Sequence, residues 1–110
     1  MARDVVLAPG LWMPAVAMSL LAARLTRAGY VPHVFAYRGR SPLEGNVARF
    51  ARFARETLDG RPGHFVGHSL GGVLVLRTLN ANEDLQVASA ILLAAPVRGC
   101  LAGRRLGAAG

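Results

Sequence analysis

Four short apolar runs alternate along the chain with three longer segments of helical period. The first run, Asp4 to Ala8, is valine- and leucine-rich and stops at Pro9-Gly10. It reads as a buried strand followed by a turn. Pro14 opens a segment in which Val16, Leu20, Leu21 and Leu25 recur at helical spacing. Proline is tolerated in a first helical turn. Arg24 and Arg27 suit the negative end of that helix, and Gly29 stops it. A second strand is predicted from Tyr30 to Tyr37, carrying Val31, Val34 and Phe35, with Arg38-Gly39-Arg40 as a loop tip.

Ser41-Pro42-Leu43-Glu44 has the form of a capping box with proline at the first helical position. The helix it opens places Leu43, Val47, Phe50, Ala51, Ala54 and Leu58 on one face and Arg49, Arg52 and Arg55 opposite. The arginine row reads as a solvated face, with an anion-binding stripe as the sharper alternative. Gly60 ends the helix and Arg61-Pro62-Gly63 turns the chain. The third apolar run leads into Gly67-His68-Ser69-Leu70-Gly71-Gly72 and reads as a strand ending at Ser69, and an apolar helical run (Val73 to Leu76, Leu79) follows at once. Asn80 to Asp84 reads as a polar loop, and Val87 to Ala95 as a fourth strand ended by Pro96. From about residue 98 the chain is a Gly/Ala/Arg-rich tail.

Strand and helix thus alternate β-α-β-α-β-α-β, with no internal repeat, linker or second domain, so residues 1–110 read as one domain. Such alternation predicts an α/β fold, a doubly wound parallel sheet with right-handed crossovers and helices on both faces. Ligands of such sheets bind at the C-terminal strand ends. Here those ends are Pro9-Gly10-Leu11-Trp12, Tyr37-Arg38, His68-Ser69-Leu70 and Pro96-Val97, and the first and third converge.

The third strand end carries the chemistry. Gly67-His68-Ser69-Leu70-Gly71 is a G-x-S-x-G pattern between a strand and a helix, the setting of a nucleophile elbow. A turn this sharp strains the serine backbone and thrusts its hydroxyl out of the sheet. Side chains at Gly67 and Gly71 are expected to clash as the helix folds back, and Gly72 extends the clearance. The free N–H groups and positive end of the helix then face any oxyanion developing beside Ser69.

Composition narrows the rest. Thirteen arginines, no lysine and six acids give a net charge of +7. The arginines are scattered and no aromatic-interleaved basic cluster accompanies them, so the charge argues against a nucleic-acid partner. All-arginine, alanine-rich usage fits a G+C-rich bacterial genome. Cys100 is the single cysteine, which excludes an internal disulfide and reads as a small filler rather than a reactive thiol. Residues 5–23 are uncharged, but Asp4, Pro9-Gly10 and Pro14 argue against a signal peptide or membrane span. A cytoplasmic protein with no cofactor and no metal is expected.

The matching stretches are Val5 to Trp12, the elbow Val66 to Gly72, and Ala90 to Pro96. Through them the sequence resembles the α/β-hydrolase superfamily, most of all its small bacterial esterase and lipase-like members, over residues 4 to about 100. One departure is Pro9, where the family usually has histidine before the glycine. The resemblance implies a partial α/β-hydrolase fold of four strands in order 2-1-3-4. It implies Ser69 as nucleophile, forming an acyl-enzyme with a small acyl ester. It implies the backbone N–H groups of Leu70 and Leu11 as oxyanion donors. Trp12 and Tyr37 either wall an acyl pocket or are ordinary packing.

A serine hydroxyl needs a neighbouring base, and in this fold the order is Ser, then Asp or Glu, then His. His33, His64 and His68 all precede Ser69. By the resemblance the ring of His68 points away from the serine hydroxyl. His33 and His64 fall at strand starts, and Glu83 and Asp84 lie on the loop into the fourth strand, both at the far end. Three explanations stay open: the N-terminal part of a longer hydrolase, a pseudoenzyme that binds an acyl ligand or a partner protein, or a base supplied by a partner chain. The apolar fourth strand fits an interior position; as an edge it would invite self-association.

Overall fold

The computed structural model describes residues 2–10, 15–37 and 43–93, with the side chains of Ala15 and Leu43 excepted. The elements are β1 (Asp4–Ala8), α1 (Ala15–Arg27), β2 (Val31–Val34), α2 (Leu43–Leu58), β3 (Gly63–His68), α3 (Leu70–Ala81) and β4 (Val87–Leu93). All strand pairs are parallel and their order is β2-β1-β3-β4, as expected.

The two faces of the sheet are covered unequally. Val6 and Ala8 of β1 and Phe65 of β3 pack with Phe50, Ala54 and Leu58 of α2 and Leu74 and Val75 of α3. This face holds the core, tightened by edge-to-face contacts of Phe50 with Phe35 and Phe65 at 5.2 and 6.3 Å between ring centres. The expected apolar face of α2 is therefore the buried one. Right-handed crossovers place α1 on the opposite face, because it steps from β1 to β2 while α2 and α3 step the other way. Its apolar stripe does not bury as its spacing suggests. Val16 and Leu20 are 68% and 58% exposed, because α1 lies beside the edge strand β2.

Three element boundaries differ from the sequence expectation. β2 ends at Val34 rather than Tyr37, although the Phe35 N–H still donates to the Leu7 carbonyl at 2.9 Å. β3 ends at His68, leaving Ser69 in the turn. α3 continues through Asn80 and Ala81, which had read as loop; Asn82 Nδ2 donates to the Thr78 carbonyl at 2.8 Å and satisfies its last turn. β4, expected as interior, is an edge among the described residues. Pro14, the tip at 38–40, the first residues of the capping box, the end of the fourth run at 94–96 and Cys100 lie outside the described residues.

The arginine row is spent on surface pairs. Arg52 meets Glu56 at 3.5 Å, Arg49 donates to Asn46 Oδ1 at 3.4 Å, and Arg55 grips Asp84 at 2.7 Å and also bonds Asn82. No described helix is long and apolar enough to cross a membrane.

Candidate active site at the elbow

β1 and β3 are adjacent, with Ala8 in register with Gly67, so their C-terminal ends open on one place. Ser69 stands there with φ 57° and ψ −117°. A non-glycine residue with positive φ costs about 1–3 kcal/mol and persists only where its surroundings over-determine it. Two backbone bonds do so here: the Ser69 N–H donates to the Leu93 carbonyl at 2.7 Å, and the Ser69 carbonyl accepts from Gly72 at 2.9 Å. The serine is thus clamped between the end of β4 and the first turn of α3. Leu70 is the first residue of α3, so its N–H is among those left without an intrahelical partner.

The glycines show how tightly the turn is drawn. A Cβ on Gly71 would lie 1.9 Å from the Ala8 carbonyl oxygen. The helix is thus pressed against the end of β1 as well as folded over its own strand. A Cβ on Gly67 would lie 2.6 Å from the Gly71 carbonyl oxygen and 2.7 Å from Gly72 Cα. Gly72 differs from expectation: a Cβ there would make only ordinary contacts, at 3.7 Å and beyond. Gly10, which reads in sequence as half of a turn, abuts the elbow. A Cβ on it would stand 3.1 Å from His68 Nδ1 and 3.3 Å from Ser69 Cβ. Nothing in the sequence except convergence of the two strand ends pointed to that contact.

Residues 5–110, which include this strand–turn–helix junction, match the model of the alpha/beta hydrolase family. The chain belongs to the alpha/beta hydrolase family. No curated protein matches it.

Two of the three histidines of this hydrolase-family chain, with Asp4, lie away from the elbow. His33 Nε2 meets Asp4 Oδ1 at 2.9 Å, and Arg61 meets the other oxygen of Asp4 at 3.3 Å. The hydrogen bond from His33, followed by that from Arg61, holds the Asp4 carboxyl below the usual carboxylate range, against the opposing effect of burial. His64 uses both ring nitrogens, with Ser89 Oγ at 2.6 Å and the Ala2 carbonyl at 3.1 Å. All of these sit where the strands begin. Asp84 is held by Arg55 beside the start of β4, and Glu83 is its neighbour.

Among the described residues, His68 is the histidine at the elbow. Its Nδ1 is buried without a hydrogen-bond partner among the described residues. The Tyr37 hydroxyl is likewise buried and unpartnered, its ring edge-on to Phe35 at 5.3 Å, and desolvation raises its pKa. Tyr37 packs against the core cluster. Leu11 and Trp12 lie outside the described residues. Among the described residues no group of three His, Cys, Asp or Glu side chains could hold a metal ion.

Proposed function

We propose that the family chemistry here is hydrolysis of a carboxylic ester or related acyl bond, with Ser69 attacking the carbonyl carbon to form an acyl-enzyme. The observation that carries this reading is the strained backbone of Ser69 at the junction of β3 and α3. A structure maintains such strain where it aims a group, and here the aimed group is a hydroxyl beside a helix N-terminus. The Leu70 N–H, and by the family pattern that of Leu11, would stabilise the oxyanion. Loss of one such donor typically costs about 2.7–4 kcal/mol of transition-state stabilisation. A small acyl ester is the proposed substrate class.

A second reading, a catalytically silent module that binds an acyl ligand or a partner protein, is favoured by a specific observation. No histidine follows Ser69 in the 110 residues, and His33 and His64 are engaged at the far end of the sheet. A serine-directed fluorophosphonate separates the two readings. Labelling of the protein isolated from its own source, abolished by Ser69→Ala, supports the hydrolase. Failure to label while a known esterase labels alongside sinks it.

A further inference from the structure

Eight arginines lie among the described residues. Five of them, on α2, on α3 and in the turn between α2 and β3, bond an acidic or amide side chain. The other three, Arg3, Arg24 and Arg27, have no such bond among the described residues. These three gather at one corner. Arg24 and Arg27 stand in the last turn of α1. The Tyr30 N–H donates to the Leu25 carbonyl at 2.9 Å and the Val31 N–H to the Arg3 carbonyl at 2.8 Å, so backbone bonds tie the helix end to the start of β1. Val6 and Ala8 face the core, so by alternation Arg3 lies on the opposite face of the sheet, the one that carries α1. No acid occurs between Asp4 and Glu44, and Asp4 is already held by His33 and Arg61.

The same side of α1 is apolar nearer its start. Residues 16, 20, 24 and 27 fall within about 80° of one another around the helix axis, in a stripe about 16 Å long. Met18, Leu21 and Leu25 are half-buried on the other side of the helix. Val16 and Leu20 are the two most exposed large apolar side chains among the described residues. The negative end of a helix attracts cations, which accounts for Arg24 and Arg27 but for neither the apolar pair nor Arg3.

We propose that this outward stripe of α1, together with Arg3, docks the protein on an anionic lipid surface. The guanidinium groups meet headgroup phosphates, and Val16 and Leu20 enter the boundary between headgroups and acyl chains. The helix lies in the plane of the surface and, at 13 residues, is too short to cross it. A polyanion such as nucleic acid would engage the arginines but leave the apolar pair in water, so the combination favours lipid. Each arginine beside an anionic surface strengthens partition about fivefold, and the attraction weakens with salt. The docking is independent of the reading of Ser69 and stands if that reading fails.

Co-sedimentation with vesicles of equimolar phosphatidylserine and phosphatidylcholine tests this, with pure phosphatidylcholine vesicles alongside. The 110-residue chain should bind the anionic vesicles and not the neutral ones, and bind less as salt is raised. Arg24→Gln combined with Arg27→Gln should weaken binding about thirtyfold. Arg49→Gln combined with Arg52→Gln removes the same charge from α2 and should leave binding nearly unchanged. Leu20→Ser should weaken binding while keeping its salt dependence. Should the α1 double variant fail to fold, a label carries the test. In a Cys100→Ser background, an environment-sensitive dye on Leu20→Cys should shift to the blue on anionic vesicles, and the same dye on Arg52→Cys should not. Any of four results overturns the proposal: no binding at low salt, equal binding to neutral vesicles, equal losses from the two arginine pairs, or a dye at position 20 that stays in water. Binding to single-stranded DNA that matches the vesicles and ignores Leu20→Ser would make the corner a polyanion site, and overturns it too.

Discussion

Gly71 and Gly72 are adjacent glycines in the first turn of one helix, and the same substitution at each should have opposite consequences. Alanine at 71 puts a methyl carbon 1.9 Å from the Ala8 carbonyl oxygen, 2.7 Å from its carbon and 3.0 Å from the Pro9 carbonyl oxygen. All three atoms are backbone, held by β1, so no rotamer change relieves the overlap. The helix must shift by about an ångström or β1 must yield. Overpacking of a tight site costs about 1–3 kcal/mol, and a backbone collision belongs at the upper end. Against it stands the helix preference for alanine over glycine, about 1 kcal/mol in a helix interior and less in a first turn. Gly71→Ala should therefore lose ~2 kcal/mol net. At that size of chain the melting temperature falls by roughly 4–8 °C per kcal/mol. Alanine at 72 meets nothing nearer than 3.7 Å, keeps the propensity gain, and should be neutral or stabilising by up to ~1 kcal/mol. Urea unfolding of the two variants, read by midpoint at equal slope, measures the difference directly. Equal stability of the two would refute the claim that α3 is seated against β1. Gly71→Ala should also lift the Leu70 N–H away from Ser69, so fluorophosphonate labelling of any active form should slow more than with Gly72→Ala.

Two further outcomes follow from the same geometry. Ser69→Gly removes the cost of positive φ and should stabilise the fold by about 1 kcal/mol, whereas Ser69→Ala keeps the strain and should leave the urea midpoint nearly unchanged. The lowered pKa of Asp4 means that its contribution is fully present above the ordinary carboxylate value of 3.8 and is lost as pH falls through the lower native value. Asp4→Asn should thus flatten the acid limb of stability against pH, and an unchanged limb would show that Asp4 does not couple to His33 and Arg61.

What was legible in sequence was what local chemistry dictates. The α2 face of Phe50, Ala51, Ala54 and Leu58 buried as its period required. The elbow glycines marked a strand turning at once into a helix. What escaped depended on partners distant in the chain. Gly10 reads as half of a Pro-Gly turn until β1 and β3 lie side by side and it touches His68 and Ser69. The Ser69 N–H bond to Leu93 requires β4 as a neighbour. Asp4 and His33, or His64 and Ser89, meet only through strand register. The exposure of Val16 and Leu20 depends on what stands beside α1, which helical spacing cannot express. Asn80 read as a loop because asparagine favours turns, but the Asn82 side chain closes the last turn of α3 two residues further on.

The base that Ser69 requires poses the sharpest question about reactivity. His64 has both nitrogens occupied, and His33 is bound to Asp4 where the strands begin, so neither reaches the elbow. His68 is near enough to flank Gly10 together with Ser69 Cβ, and its Nδ1 is without a partner. Proximity alone does not make it a base. It forms no hydrogen bond with the serine, and no described carboxylate contacts it to orient the ring or stabilise an imidazolium. A general base contributes about 10²–10⁴-fold to rate only when it sits within hydrogen-bond reach of the proton it takes. The 110-residue chain alone should consequently hydrolyse p-nitrophenyl acetate with little or no enzymatic turnover. Oxyanion donors without a base leave an enhancement on the order of 10³–10⁴ over water in triad-deleted enzymes, and any residue of that kind should vanish in Ser69→Ala. Turnover at an ordinary enzymatic rate, lost in both Ser69→Ala and His68→Ala and falling with acid along one ionisation, would refute this argument. It would establish His68 as the group that takes the serine proton.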